Sequence, residues 1–501
     1  MKIKNRRFVL GFIVIGILLM LSYVSKDSEL DTVLEDSNER RMQTKQLENV
    51  DYSSYIQKFS TTELGISSEQ LAFLEPALSE ALIQSTKDVT IRKEDAISDI
   101  KFLFEVLEDS YAGYLYFGNR ERWEDAEKNV INQINAYPDT VPVFVLQQML
   151  VKNLEFVQDG HFLINAESPL KRSVYYYSEE FEIQKDSKGF YLHLDDHKWY
   201  IEAVEGDTNV EQYVRESLDQ SGHLCNYIGI LSVKPCTEVS LKLKSGTRCK
   251  QINIELKKSE GKVHNKDSYL GDCRVQNIND ISVFTMDSFS DNSHLENYKN
   301  TAKQAKREEC IILDLRGNTG GQTMLPATWF QNFSGKSPQT DHIGIRMASL
   351  LNNYVTKAAL ELIEYESLTP YFQKLYRTEV DISSESENQY YVTTTQKEYL
   401  PNDTIIFVLI DKNVASSAEW FVEALDTLEN VIFVGTNTSG CMLSKQSIRC
   451  RLPYSGIEVI YGDAISIGSI REGTGFEPDV WVGGNDVLER VVDFIGNNSI
   501  R

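Results

Sequence analysis

Ser416 lies in Asn413-Val414-Ala415-Ser416-Ser417-Ala418-Glu419-Trp420, between an apolar run, Ile405–Ile410, and an amphipathic segment that ends near Asn430. A strand feeding a helix through a tight turn can lift a serine hydroxyl out of a sheet. The helix N-terminus then offers unpaired N–H groups and a positive dipole end where an oxyanion would form. The same serine would serve equally as a plain helix N-cap. Three further stretches could work with it. Leu313-Asp314-Leu315-Arg316-Gly317-Asn318-Thr319-Gly320-Gly321 ends an apolar run in a loop with three glycines. Glycines let backbone N–H groups approach a ligand and accept positive φ. No Lys-Ser/Thr follows them, which excludes the usual phosphate loop. An oxyanion or substrate-backbone cradle remains, beside a simple tight turn. Val157-Gln158-Asp159-Gly160-His161-Phe162 carries one of only seven histidines, at a glycine turn from which its ring could reach across a cleft or lie on the surface. The loop from Arg471 to Val480 contains Glu472, Gly473, Gly475 and Glu477 and is otherwise rich in turn formers.

The elements that must position these residues follow from hydrophobic period. Residues 91–172 show helical spacing, with Ile97, Ile100, Phe104, Val106 and Leu107 on one face and Leu146, Leu150, Leu154 and Val157 on another. They predict a small helical domain ending in the Asp-Gly-His motif. Residues 173–260 alternate in short strands and predict a β-rich module, interrupted by a helix over residues 210–218. From residue 276 to 490, strands and helices alternate, which predicts an α/β core with a mostly parallel sheet. Ligands bind such sheets at the carboxyl ends of the strands, where both the serine turn and the glycine loop fall.

Composition narrows the partners. Lys and Arg number 51 against 74 Asp and Glu, a formal charge of −23, which argues against nucleic acid. Residues 1–7 are basic and residues 8–24 are apolar and uncharged, the pattern of an uncleaved signal anchor or, second, a cleaved signal peptide. Residues 25–90 are polar and read as a juxtamembrane linker with some helix. The body would then lie outside the cytoplasm, at the cell membrane or secreted. Seven cysteines fit an oxidising compartment. Six form sequential pairs, Cys225 with Cys236, Cys249 with Cys273 and Cys441 with Cys450, which makes them possible disulfides, while Cys310 reads as a buried thiol. No His/Cys cluster suggests a metal, and no cofactor is implied.

The four chemical stretches, in this order, resemble the tail-specific or C-terminal processing serine peptidase family, which includes the tricorn protease core and retinoid-binding relatives. The glycine loop resembles its Asp-Leu/Val-Arg-x-Asn-x-Gly-Gly signature. Ser416-Ser417-Ala418-Glu419 resembles its nucleophile turn, and residues 473–479 resemble its Gly-x-Gly-Val-x-Pro-Asp ending. The resemblance implies a ClpP/crotonase-like core, Ser416 as nucleophile, and an oxyanion hole from the Ser417 amide with a glycine of Gly320-Gly321. Many members use a lysine base about 25 residues after the serine, but here that position is Cys441. The tricorn-like branch instead pairs the serine with a histidine and a glutamate. The resemblance therefore implies His161 as base and Glu472 as its orienting acid, with Lys445 as alternative base and Asp159 and Glu477 as alternative carboxylates. An imidazole suits proton transfer from a serine. The β-rich module stands where many relatives carry a PDZ domain. The expected function is an extracytoplasmic serine peptidase acting on peptides or unfolded proteins. The alternative is an inactive peptide- or ligand-binding protein on the same scaffold.

Overall fold

The apolar runs of the C-terminal half alternate between two cores, one on each face of a central sheet. The computed structural model describes residues 28–42, 51–56, 67, 69–77, 89–262, 271–385, 387–445, 447–468 and 470–498. Six strands form the sheet, in the order Cys273–Ile278, Ile281–Met286, Cys310–Asp314, Ile405–Ile410, Val431–Gly435 and Val480–Trp481. The first pairing is antiparallel and the rest are parallel, so the sheet is mixed. Ile311, Leu313, Ile406, Val408 and Ile410 pack against Trp329 and Phe330 of the helix Met324–Ser334 and Phe421 of the helix Ser417–Leu425. Ile312, Phe407, Leu409, Ile432 and Val434 pack on the other face against the helix Val487–Asn497. Burial on both faces explains why these strands are continuous in hydrophobicity rather than alternating. The strands Cys310–Asp314 and Ile405–Ile410 are neighbours, so the glycine loop and the serine turn leave the sheet side by side.

The helices Lys93–Ser110, Arg120–Asn135 and Val143–Asn153 share one core around Trp123, which is fully buried and stacked on Tyr114. That core continues into a small sheet ordered Leu74–Pro76, Ile448–Arg451, Glu458–Tyr461 and Leu163–Ile164. The last of these strands begins two residues after His161 and pairs with Glu458–Tyr461. This seam ties the end of the helical region to the C-terminal half.

Residues 174–258 form two sheets around their own core of Trp199, Ile201, Leu241, Leu243 and neighbours. The helix expected over residues 210–218 is instead a short 3-10 turn, Val210–Tyr213, followed by the strand Val214–Leu218. Pairing with Leu224–Ser232 wins over the local helical pattern. A further lobe also interrupts the simple alternation of strands and helices predicted over residues 276–490. The helices Leu350–Glu361 and Pro370–Ser384 stand between the paired strands His342–Ala348 and Gln389–Thr395.

The helix Glu29–Met42 lies against the strand Val431–Gly435. Its Arg41 side chain is buried over the Phe433 ring and forms ion pairs with Asp426 at 3.2 Å and Asp479 at 2.8 Å. The apolar run of residues 8–24 lies outside the described residues. Among the described residues no helix is long and apolar enough to cross a membrane.

The disulfides expected from cysteine spacing are not formed, because all seven cysteines are free thiols. Cys225 opens the strand Leu224–Ser232 and Cys236 lies beyond its far end, so the strand holds the two apart. Cys249 and Cys273 sit in different sheets. Cys450 is packed in the helical core, whereas the Cys441 thiol accepts from Arg172 Nη2 at 3.2 Å. Buried thiols here behave as small apolar side chains, and their number carries no argument about compartment.

Candidate active site

The strand Ile405–Ile410 runs through the turn 411–416 into the helix Ser417–Leu425, and Ser416 is the residue at the bend. Its backbone has φ 58° and ψ −124°, a region costing about 1–3 kcal/mol for a residue with a side chain. A plain N-cap would be extended. Local contacts hold the strained turn. Glu419, fully buried, accepts from the N–H groups of Ser416 (3.3 Å), Gly440 (2.7 Å) and Cys441 (2.7 Å) and from the Thr438 hydroxyl (2.5 Å). Burial raises its carboxyl above the usual range, while these donors pull it down.

The glycine loop braces the same turn. Asn318 is fully buried; its carbonyl accepts from Ala415 N–H at 3.1 Å, and its side chain donates to the Met286 carbonyl at 3.0 Å. A Cβ on Gly320 (φ +98°) would lie 2.7 Å from the Ala415 carbonyl oxygen, so only glycine lets the loop approach this closely. Beneath it, Arg316 grips Asp314 through Nε and Nη2, each at 2.9 Å, and Lys262 Nζ adds 2.8 Å. Burial alone would raise the Asp314 carboxyl, but the two cations outweigh it and hold it at about 2. Gly320 N–H donates to Asn318 Oδ1 at 2.9 Å and is thereby committed. Among the described residues the N–H groups of Gly321 and Ser417 have no acceptor.

His161 arrives from the other side, at the end of the helical region. Its Nε2 lies 3.0 Å from Ser416 Oγ. Burial lowers the imidazole pKa below its usual value, opposed by the Asp159 charge and the Ser444 main chain and aided by Arg172. Glu472 meets Gly160 rather than the imidazole. One oxygen accepts from Gly160 N–H at 2.6 Å and the other from the N–H groups of Met442 and Leu443, both at 2.9 Å. It makes no hydrogen bond to His161. Burial, then the nearby Asp159 charge, pushes its carboxyl up to about 8. Among the described residues no cluster of ligating side chains could hold a metal.

Residues 280–482, the region carrying the glycine loop, the serine turn and Glu472, match the model of peptidase family S41. These residues form a peptidase family S41 domain. The chain is a serine-type peptidase. Among solved structures, this S41 peptidase is similar to mature CPAF, with 14% identity, 81% of this chain and 96% of that one covered, and a TM-score of 0.41. It is also similar to the photosystem II D1 C-terminal processing protease (12% identity, 77% and 92% covered, TM-score 0.32) and to the tricorn protease (13%, 79% and 35%, TM-score 0.30). No curated protein matches it.

The other residues singled out in the sequence of this S41 peptidase fall elsewhere. Lys445 is 59% exposed and its amine lies 3.8 Å from Asp463. Glu477 pairs with the exposed Arg471 at 2.8 Å. Cys441 packs against Gly160, where a Cβ would lie 2.4 Å from its sulfur. Burial raises its thiol to about 11, so it is no base at neutral pH. Tyr111 and Ser444, which carried no sequence signal, both contact Asp159. Asn318 and Glu419 stood inside recognised motifs, but their bracing of the turn becomes visible only in three dimensions.

Proposed function

We propose that this S41 peptidase hydrolyses peptide bonds with Ser416 as nucleophile and His161 as general base. The observation that carries the reading is the 3.0 Å approach of His161 Nε2 to Ser416 Oγ, within reach for proton transfer. The Ser416 proton passes to Nε2 as Oγ attacks the carbonyl carbon. The oxyanion that forms takes hydrogen bonds from the N–H groups of Gly321 and Ser417, which have no acceptor among the described residues. Collapse breaks the C–N bond, the leaving amine takes the proton from His161, and the acyl group stays on Ser416. Water, deprotonated by His161, then releases the acid and restores the serine. Burial keeps the imidazole neutral and ready as a base at pH 7. Glu472 serves by clamping Gly160 to residues 442–443, which sets where His161 stands.

The substrates in this reading are peptides or unfolded proteins, and residues 1–24 anchor the catalytic body outside the cytoplasm. The basic run followed by 17 apolar residues supports that placement. Protection of the body from external protease on intact cells would contradict it. The catalytic reading is tested by reaction with a fluorophosphonate at neutral pH and by casein hydrolysis. Labelling should map to Ser416 and require His161, whereas Lys445→Ala should label and cleave like the parent. Full activity of His161→Ala would sink the assignment.

A further inference from the structure

For Nε2 to accept the Ser416 proton, the ring's own proton must sit on Nδ1, and something must hold it there. Glu472 does not, since its oxygens are committed to Gly160, Met442 and Leu443. Nδ1 is buried and has no hydrogen-bond partner among the described residues, so the placement of the ring falls to the chain that carries it. Ser444, whose main chain favours the charged imidazole, is itself held from behind. Its hydroxyl donates to both oxygens of Asp159, at 2.9 and 2.7 Å. Asp159 is fully buried and also accepts from the Tyr111 hydroxyl at 2.8 Å and from the His161 N–H at 2.9 Å. Three donors from three separate segments thus converge on one carboxylate, two residues from the base in sequence.

We propose that Asp159 is a positioning residue of the peptidase: by accepting the His161 N–H and the Ser444 and Tyr111 hydroxyls, it fixes where the base and the Ser444 main chain beside it stand. This inference rests on the Ser416–His161 reading. Asparagine at 159 would keep the shape, but its amide would present donors to the Ser444 or Tyr111 hydroxyl. It would also remove a negative charge that favours imidazolium. The other charged or titratable groups acting at the ring or packed around it, Arg172, Glu472, Cys441 and Tyr111, stay in place.

The test is the pH dependence of kcat and kcat/KM for the full chain, as parent, Asp159→Asn, Ser444→Ala and His161→Ala. Asp159→Asn should lower kcat about 100-fold or more, since a misplaced base is costly, with KM within about twofold by the same reasoning. Its acid limb should move to lower pH. Ser444→Ala keeps both the main chain and the Asp159 charge, so it should lower kcat about tenfold, one lost positioning contact, with the acid limb unmoved. Parental kcat in either variant overturns the proposal, as does an Asp159→Asn loss with an unmoved acid limb. Should Asp159→Asn fail to fold, Ser444→Ala decides alone. An inactive His161→Ala beside a parental Asp159→Asn would sink only this inference, whereas an active His161→Ala would sink the Ser416–His161 reading itself.

Discussion

The proposed nucleophile and the proposed base of this peptidase are held in opposite ways. Ser416 stands on a continuous stretch of chain, a buried strand, a turn and a helix, and Glu419 three residues later accepts its N–H. His161 stands at a junction where the end of the helical region meets residues 441–444 and the loop bearing Glu472; Ser444 lies 285 residues beyond Asp159 and Glu472 lies 312 beyond Gly160. The nucleophile side stores strain and braces it from its own helix through Glu419 and from the neighbouring strand's loop through Asn318. The base side has its geometry set by contacts that exist only once the whole chain has folded. A local motif therefore marks the proposed nucleophile, and long-range assembly decides which base it would meet.

The greatest loss is expected at the serine. Ser416→Ala should remove activity by some 10⁴- to 10⁶-fold with an unchanged circular dichroism spectrum. A variant that still cleaves would dissolve the distinction. Next is the packing at the junction. Gly160→Ala would drive a Cβ to 2.4 Å from Cys441 Sγ and 3.0 Å from Glu472 Oε1. It should lower kcat/KM by about 10- to 100-fold, because the base shifts by a fraction of an ångström. Cys441→Gly in the same chain should recover part of the loss. Absence of recovery in that double variant would show that the crowding is not what places His161.

A smaller effect separates stability from activity. The Glu472 carboxyl is raised from 4.5 to about 8, so the fold binds its proton more tightly than the unfolded chain does. The resulting stability is fully present below about pH 4.5 and is lost as pH rises through about 8. Glu472→Gln should flatten the decline in melting temperature between those limits, and an equal slope in parent and variant would count against the shift. Smallest should be Lys445→Ala, with kcat/KM within about twofold of the parent, as for a solvent-exposed side chain outside the chemistry. A 100-fold loss there would move the base to the nucleophile's own half of the chain.

What the sequence discloses follows the same division. The serine turn and glycine loop are legible because a buried strand, glycines and a following helix are local patterns. Asp159 and Glu472 can be named from motifs, but their partners cannot. Nothing about Tyr111 or Ser444 in sequence says that both will donate to one carboxylate. The cysteine pairs fail for a related reason, since spacing along the chain does not report distance across sheets. The lobe of residues 342–395 escapes notice because the helix Pro370–Ser384 buries so little, with Tyr371, Leu375 and Val380 exposed. The Val214–Leu218 strand is hidden by helical spacing that a neighbouring strand overrides.

The helix Glu29–Met42 precedes every recognised motif, and its polar sequence invites trimming. Arg41 makes that unwise. A recombinant version starting after Met42 would leave Asp479 without Arg40 and Arg41, leave Asp426 to Lys397 alone, and bare the Phe433 face that Arg41 covers. Unpairing such a charge costs about 3–5 kcal/mol, a large part of what keeps a domain folded. The stretch between the apolar N-terminal run and the catalytic body is thus no dispensable leash. It is a keystone supplied from the front of the chain, and a version that starts after it should melt at a lower temperature than the parent.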